Sequence, residues 1–339
     1  MAIKSLLPGM QINNLRVDPL SEIRNAGIIT NGSVIWTKAV ADTDYNTFAE
    51  QVGWDVITNT VQAGVDKTRN DRNDYVMVVP QDANAVYSLG TALDLNKDRV
   101  HLLGVGYGGA QQSYQTTIRG GYGTVPDTQV LDVTGDGCEI AGLRFLGTLG
   151  TNGGGTMSNG VAFIRGLQLW SHNCTFEDST DIWGTPPVVR GGGTAAHDAR
   201  FDDCFFVQSG TGNIEAAANS ALVIGGDGNK RWDFNDCQFS MTAGSTTETM
   251  FTMGTGATVR TTLRRCEFRM VNGTAFAQTS AIRGSITANN PVICIDNSAV
   301  GFTQQGTDPN VWKIPALSGT RALIYDPGLA IGTAALVAA

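Results

Sequence analysis

The chain has 339 residues, of which 42 are glycine and only 16% are charged, and its formal net charge is −8. Glycine well above its usual share of about 7%, with few charges, argues against a helical bundle or coiled coil. The 42% of hydrophobic residues excludes a disordered chain, the lack of a Gly-X-Y period excludes collagen, and the acidic balance excludes phosphate-backbone binding as the main task.

Residues 1–36 carry no repeat pattern, yet they contain Leu6, Leu7, Met10, Ile12, Leu15 and Val17. That is too apolar for a free tail, so the segment reads as an arm lying on a partner or on its own domain. The apolar run at the start is short and broken by Pro8, unlike a secretory signal. Residues 43–64 read as one long helix, with Asp42 or Thr43 as N-cap and Gly64 as stop, because Tyr45, Phe48, Val52 and then Trp54, Ile57, Val61 recur at helical spacing, with Gly53 the weak point in the middle. Residues 75–80 form a buried strand, followed by short strands at 93–95, 100–103, 117–119 and 129–133. Gly104 to Gly109 spell G-x-G-x-x-G, but the polar stretch after them has no helical period, so no dinucleotide cofactor is expected.

From residue 140 onward the chain repeats about every thirty residues. Phe145, Phe176, Phe206, Phe239, Phe268 and Phe302 end successive apolar strings. Two positions earlier stand Leu143, Cys174, Cys204, Cys237, Cys266 and Val300; five positions earlier stand Ile140, Ser171, Phe201, Phe234, Leu263 and Asn297. Between these columns lie two turn-prone residues, rich in Asn, Asp and Gly, which tolerate left-handed backbone angles. The unit is therefore a strand, a sharp corner and a second strand. Such a unit buries its apolar face only by stacking on copies of itself. Glycine-, serine- and threonine-rich pieces at 148–160, 209–220 and 243–249 read as loops beside the stack.

The capping helix, the Asp-Tyr-Val-Met-Val-Val-Pro strand, the Asn/Asp corners and the inner ladders resemble the pectin-lyase-like right-handed parallel β-helix family. The resemblance spans residues 42–305, leaving 1–41 and 306–339 as an arm and an assembly segment. It implies an all-β solenoid with an N-terminal capping helix. The long arms and Gly/Thr-rich loops further resemble bacteriophage virion β-helices, which implies a homotrimer made in the host cytoplasm and used as head decoration or tailspike.

Candidate chemistry follows from the columns. Cys174, Cys204, Cys237 and Cys266, with Phe176, Phe206, Phe239 and Phe268, read as a buried ladder. Disulfides or a metal site are the alternatives, but stacked side chains point the same way and no Cys-x-x-Cys or zinc-spaced histidine set exists. Asp203 and Asp236 share one corner column on adjacent rungs, a spacing that could suit a retaining glycosidase. Glu177 with Asp178, and Asp202 with Asp233, are further carboxylate pairs. Stacked corner positions need Asn and Asp for turn geometry alone, so a structural role is the preferred reading. The Arg-x-Pro-x-x-Arg string of pectate lyases is absent, and Arg260, Arg264, Arg265 and Arg269 read as a solvated face. Among the tryptophans, Trp232 reads as core, Trp183 as the best surface contact, and Trp170 and Trp312 as further candidates.

Beyond Asp326 the chain has no charge and includes Leu329, Ile331 and Leu336, a segment suited to pairing with a neighbour. The functional expectation is a structural virion protein without cofactor or metal, held through its arms to a major capsid protein. The alternative is a tailspike that binds or cleaves host surface polysaccharide. Neither nucleic acid nor membrane is an expected partner.

Overall fold

The computed structural model describes residues 32–325 apart from 83–85, 106–115, 121–128, 148–160, 179–187, 193–197, 209–220, 225–229, 243–248, 253–258, 272–279, 284–291, 301–311 and 314–321. The described residues form a β-solenoid built from one eleven-stranded and two eight-stranded sheets, with every strand pairing parallel to its neighbours. A rung crosses all three. Glu139–Ala141 lies in the first sheet, Leu143–Gly147 in the second and Ala162–Ile164 in the third, before Trp170–His172 re-enters the first one rung higher.

The corner from first to second sheet is built the same way at each level. One residue takes a left-handed φ: Gly142 at 66°, Asn173 at 52°, Asp203 at 51°, Asp236 at 55°, Arg265 at 51° and Asp296 at 52°. Asn and Asp are favoured there because their short polar side chains lower the strain of that region. From Gly142 to Arg265 the corner's backbone N–H then donates to the next rung, as from Asp203 to the Asn235 carbonyl at 3.0 Å and from Asp236 to the Arg264 carbonyl at 2.9 Å. Arg265 adopts the corner geometry without being a favoured residue for it.

Inside, like residues stack. In the second sheet the register aligns Tyr87, Ile118, Phe145, Phe176, Phe206, Phe239 and Phe268. Successive Phe rings from Phe145 to Phe268 lie 4.7 to 5.6 Å apart and nearly parallel. In the first sheet Ile140, Ser171, Phe201, Phe234 and Leu263 form the facing column. Cys174, Cys204, Cys237 and Cys266 are fully buried free thiols. Each Sγ points to a backbone carbonyl on the rung before: Cys174 to Ile140, Cys204 to Ser171, Cys237 to Phe201 and Cys266 to Phe234, at 3.4 to 3.6 Å. A thiol is a weak donor small enough for that place beside the corner.

Three expectations need correction. The single helix over 43–64 is two helices, α1 (Tyr45–Val52) and α2 (Val61–Lys67), separated by the strand Ile57–Thr58. Gly53 ends α1 at φ +102°, a backbone state that breaks helical periodicity. Asp44 and Thr60 stand at the N-caps, and Gly64 lies inside α2, where a Cβ would meet Thr37 Oγ1 at 2.7 Å and Val76 Cγ1 at 2.8 Å. It is a close-packing residue rather than a stop. The last rung is also shifted: Phe268 pairs with Ala299, and Leu263 with Cys294 rather than Asn297, while Phe302 lies outside the described residues. Asn297 instead follows the Cys266 level, where its side-chain oxygen accepts from the Cys266 N–H at 2.8 Å. Finally, each rung has a third strand, such as Val189–Gly191 or Thr249–Thr252, that the two-strand unit did not contain.

Candidate functional site

The outer face of the first sheet carries two columns, set by the strand register. One runs Tyr75, His101, Glu139, Trp170, Arg200, Asp233, Thr262, and the other Met77, Leu103, Ala141, His172, Asp202, Asn235, Arg264. Alternation along a strand sends the residues between them, such as Ser171, Phe201 and Phe234, into the core. The early rungs of this face are apolar: Tyr75, Met77 and Leu103 are buried against Val34, Trp36 and Val105. From Glu139 onward it becomes polar and opens into a groove of about 760 Å³. Trp170, Arg200, Asp233 and Thr262 mark three rung steps along it, roughly 14 Å at about 4.8 Å per step.

Trp170 is the large aromatic side chain exposed in this groove, 42% accessible. It is held on three sides. Its ring stacks on His172 with centroids 4.3 Å apart, its Nε1–H donates to Asp202 Oδ2 at 2.8 Å, and the Arg200 guanidinium lies over it at 6.0 Å. Asp202 also accepts from Asn235 at 2.7 Å and pairs with Arg200. Beneath, Glu139 bridges two imidazoles, with His101 Nδ1 at 2.5 Å and His172 Nε2 at 2.8 Å. Burial pushes the Glu139 carboxyl up, but the hydrogen bonds and charge of the two histidines outweigh it and bring it down to about 2. His101 in turn stacks on Tyr75 at 4.3 Å.

Asp203 and Asp236 come together as the column predicted, on successive corners at the groove's edge. Their environments differ. Burial and the negative charges of Asp236 and Asp202 raise the Asp203 carboxyl. Arg265 lowers that of Asp236 by donating Nε to Oδ1 at 2.6 Å and Nη2 to Oδ2 at 2.5 Å. A carboxyl shifted up beside one shifted down is the direction in which environments separate a general acid/base pair. Asp236, however, has both oxygens committed to Arg265, which weakens it as a nucleophile. Of the other carboxylate pairs, Glu177 is a buried partner of Arg144 on the second sheet, outside the groove, and Asp233 pairs with Arg231 inside it.

Trp232 is wholly buried. Trp183, Leu6, Leu7, Ile12, Leu329, Ile331, Leu336 and the glycines 106–109 lie outside the described residues. Gly104 closes a strand where an added Cβ would lie 2.3 Å from the Gly142 carbonyl oxygen, a packing reason for the first glycine of that motif. The Asp42, Asp44 and Asp82 carboxylates approach one another closely enough to share a cation. Lys38 already supplies one, with Nζ 3.0 Å from Asp42 and 2.8 Å from Asp44. Sequence reasoning missed the Glu139–His172–Trp170 cluster, because Trp170 and His172 share one strand while Glu139 lies a rung away, and only the register brings it beneath them.

No protein family and no curated protein matches the chain. Among solved structures, the chain is similar to the pectin methylesterase from Aspergillus niger, at 10% identity and a TM-score of 0.48, over 86% of this chain and 91% of that one. It is also similar to pectate lyase Pel9A, at 8% identity and a TM-score of 0.37, over 85% and 82% of the two chains. The solenoid assignment stands on this chain's own continuous parallel register.

Proposed function

We propose that this chain is a glycan-binding parallel β-helix of the tailspike kind, with the groove on the outer face of the first sheet as its saccharide site. The observation that carries the reading is Trp170, an exposed indole held rigidly along a polar groove. Sugar rings present apolar C–H faces that suit an aromatic platform, while their hydroxyls need donors and acceptors around it. The groove supplies both. Asp233 Oδ1 and Thr262 Oγ1, shielded from solvent, have no hydrogen-bond partner, and ligand hydroxyls are groups that could satisfy them. The test is calorimetric titration with oligosaccharides, followed by tryptophan fluorescence. Trp170→Ala should weaken binding by about tenfold or more, the scale of a lost aromatic anchor. Unchanged affinity would remove the groove from the reading. If the bound glycan is also cleaved, Asp203→Asn should abolish turnover while leaving affinity intact; cleavage that survives both Asp203→Asn and Asp236→Asn assigns the chemistry elsewhere.

The second reading is a homotrimeric phage head-decoration protein bound to the major capsid protein through its arms. It is favoured by the uncharged segment after Asp326 and the apolar residues of 1–36. Hundreds of copies per particle would support it, and a few copies at a tail would remove it.

A further inference from the structure

The groove is electrically lopsided. At one end Arg200 faces Asp198, Asp202 and Asp203, an excess of two negative charges; at the other Arg231, Arg260, Arg264 and Arg265 face Asp233 and Asp236, an excess of two positive charges. Ion pairs account for part of the basic end, where Arg231 binds Asp233 and Arg265 binds Asp236. Arg260 and Arg264 have no acidic partner within 4.0 Å among the described residues. Both are exposed, on one strand, Val259–Arg264, four residues apart and therefore on the same face. Between them stands Thr262, whose residue is only 7% accessible and whose hydroxyl has no hydrogen-bond partner.

We infer that Arg260, Thr262 and Arg264 form an oxyanion subsite, which takes a carboxylate, sulfate or phosphate group carried by the ligand. Guanidiniums present planar forks that match such groups, and a hydroxyl between two of them adds a third donor. A buried hydroxyl without a partner is destabilising in a merely structural surface, whereas a bound oxyanion satisfies it. The site lies two rungs beyond the Arg200 level and three beyond Trp170, so it would also fix direction: one sugar ring on the indole, and a charged unit further along the same glycan at the strand Val259–Arg264. The role assigned to the subsite as part of a saccharide site rests on the glycan reading, but oxyanion capture does not.

The experiment uses the full chain with inorganic sulfate, then inorganic phosphate, and then oligosaccharides of equal length that are neutral, uronate-bearing, sulfated or phosphorylated. Sulfate should bind saturably in a salt-sensitive way, and anionic oligosaccharides should bind about tenfold or more tightly than the neutral one, as charge-assisted pairs imply. Which anionic sugar binds best identifies the substituent. Arg260→Gln with Arg264→Gln should erase the discrimination, so that anionic and neutral oligosaccharides bind the variant equally. The near-isosteric Thr262→Val, which keeps both charges, should reduce it in part. Anion binding that survives the double Arg variant, or equal affinity for neutral and anionic ligands, overturns the inference and leaves the Trp170 reading standing. Arginine-dependent sulfate binding, with no glycan response to Trp170→Ala, leaves the subsite standing and removes the glycan reading.

Discussion

Glu139 shows how a single side chain can organise the polar half of this face. Its carboxylate is ionised down to about pH 2 because two imidazoles hold it. Its pKa is depressed from an ordinary 4.5, so its stabilising effect is complete above the unfolded value and is lost as pH falls from about 4.5 toward 2. Glu139→Gln should therefore lower the melting temperature at pH 7 and flatten the acid limb of stability below pH 4.5, measured by thermal melts across pH. An unchanged acid limb would mean that other carboxylates set it. His101, Glu139 and His172 are scattered in sequence at 101, 139 and 172. Nothing in their local context joins them, because the two long returns through the second and third sheets separate each from the next.

At the level of the strand, the phenylalanine column carries a large share of the packing. Phe206 is fully buried between Phe176 and Phe239 and meets Phe201 and Phe234 edge-on or nearly so. Phe206→Ala should destabilise the fold by about 3–5 kcal/mol, the range for a truncated core aromatic, as read by denaturant titration. Gly104→Ala should also destabilise it, because the new Cβ would meet backbone rather than a movable side chain. Both columns were legible from the regular spacing of Phe145, Phe176, Phe206, Phe239 and Phe268 and the cysteines before them. The last rung was not: the backbone pairing sets Ala299 opposite Phe268, three residues before the next phenylalanine of the sequence pattern. The helix failed for a related reason. Tyr45 to Val61 keep helical spacing across Gly53, yet a positive φ there turns the chain into a strand that pairs with Val34–Thr37.

For the molecule as a whole, the stacked rungs make a continuous core that seals its thiols. Burial pushes the thiols of Cys174 and Cys237 well above their ordinary range and that of Cys138 up to about 11. A protonated, enclosed thiol is unreactive. Cys138, Cys174, Cys204, Cys237 and Cys266 are all buried, and that enclosure should make them resist alkylation in the folded protein and react together in denaturant, as peptide mass mapping would show. Labelling of one rung alone would reveal local opening of the solenoid instead.

The sequence by itself determined the class of architecture, the thirty-residue period and the corner positions. Those depend on local backbone preference and on like residues recurring at fixed steps, which a linear reading can see. Only the tertiary structure decided which residues share the outer face. A third strand lies in every rung, and a slip of one residue in any strand would turn its whole outer column inward. The register brings Glu139 under His172, Asp202 beside Trp170, and the strand Val259–Arg264 onto the same groove. It turned a face read as solvated arginines and turn-forming aspartates into a groove with two chemically different ends.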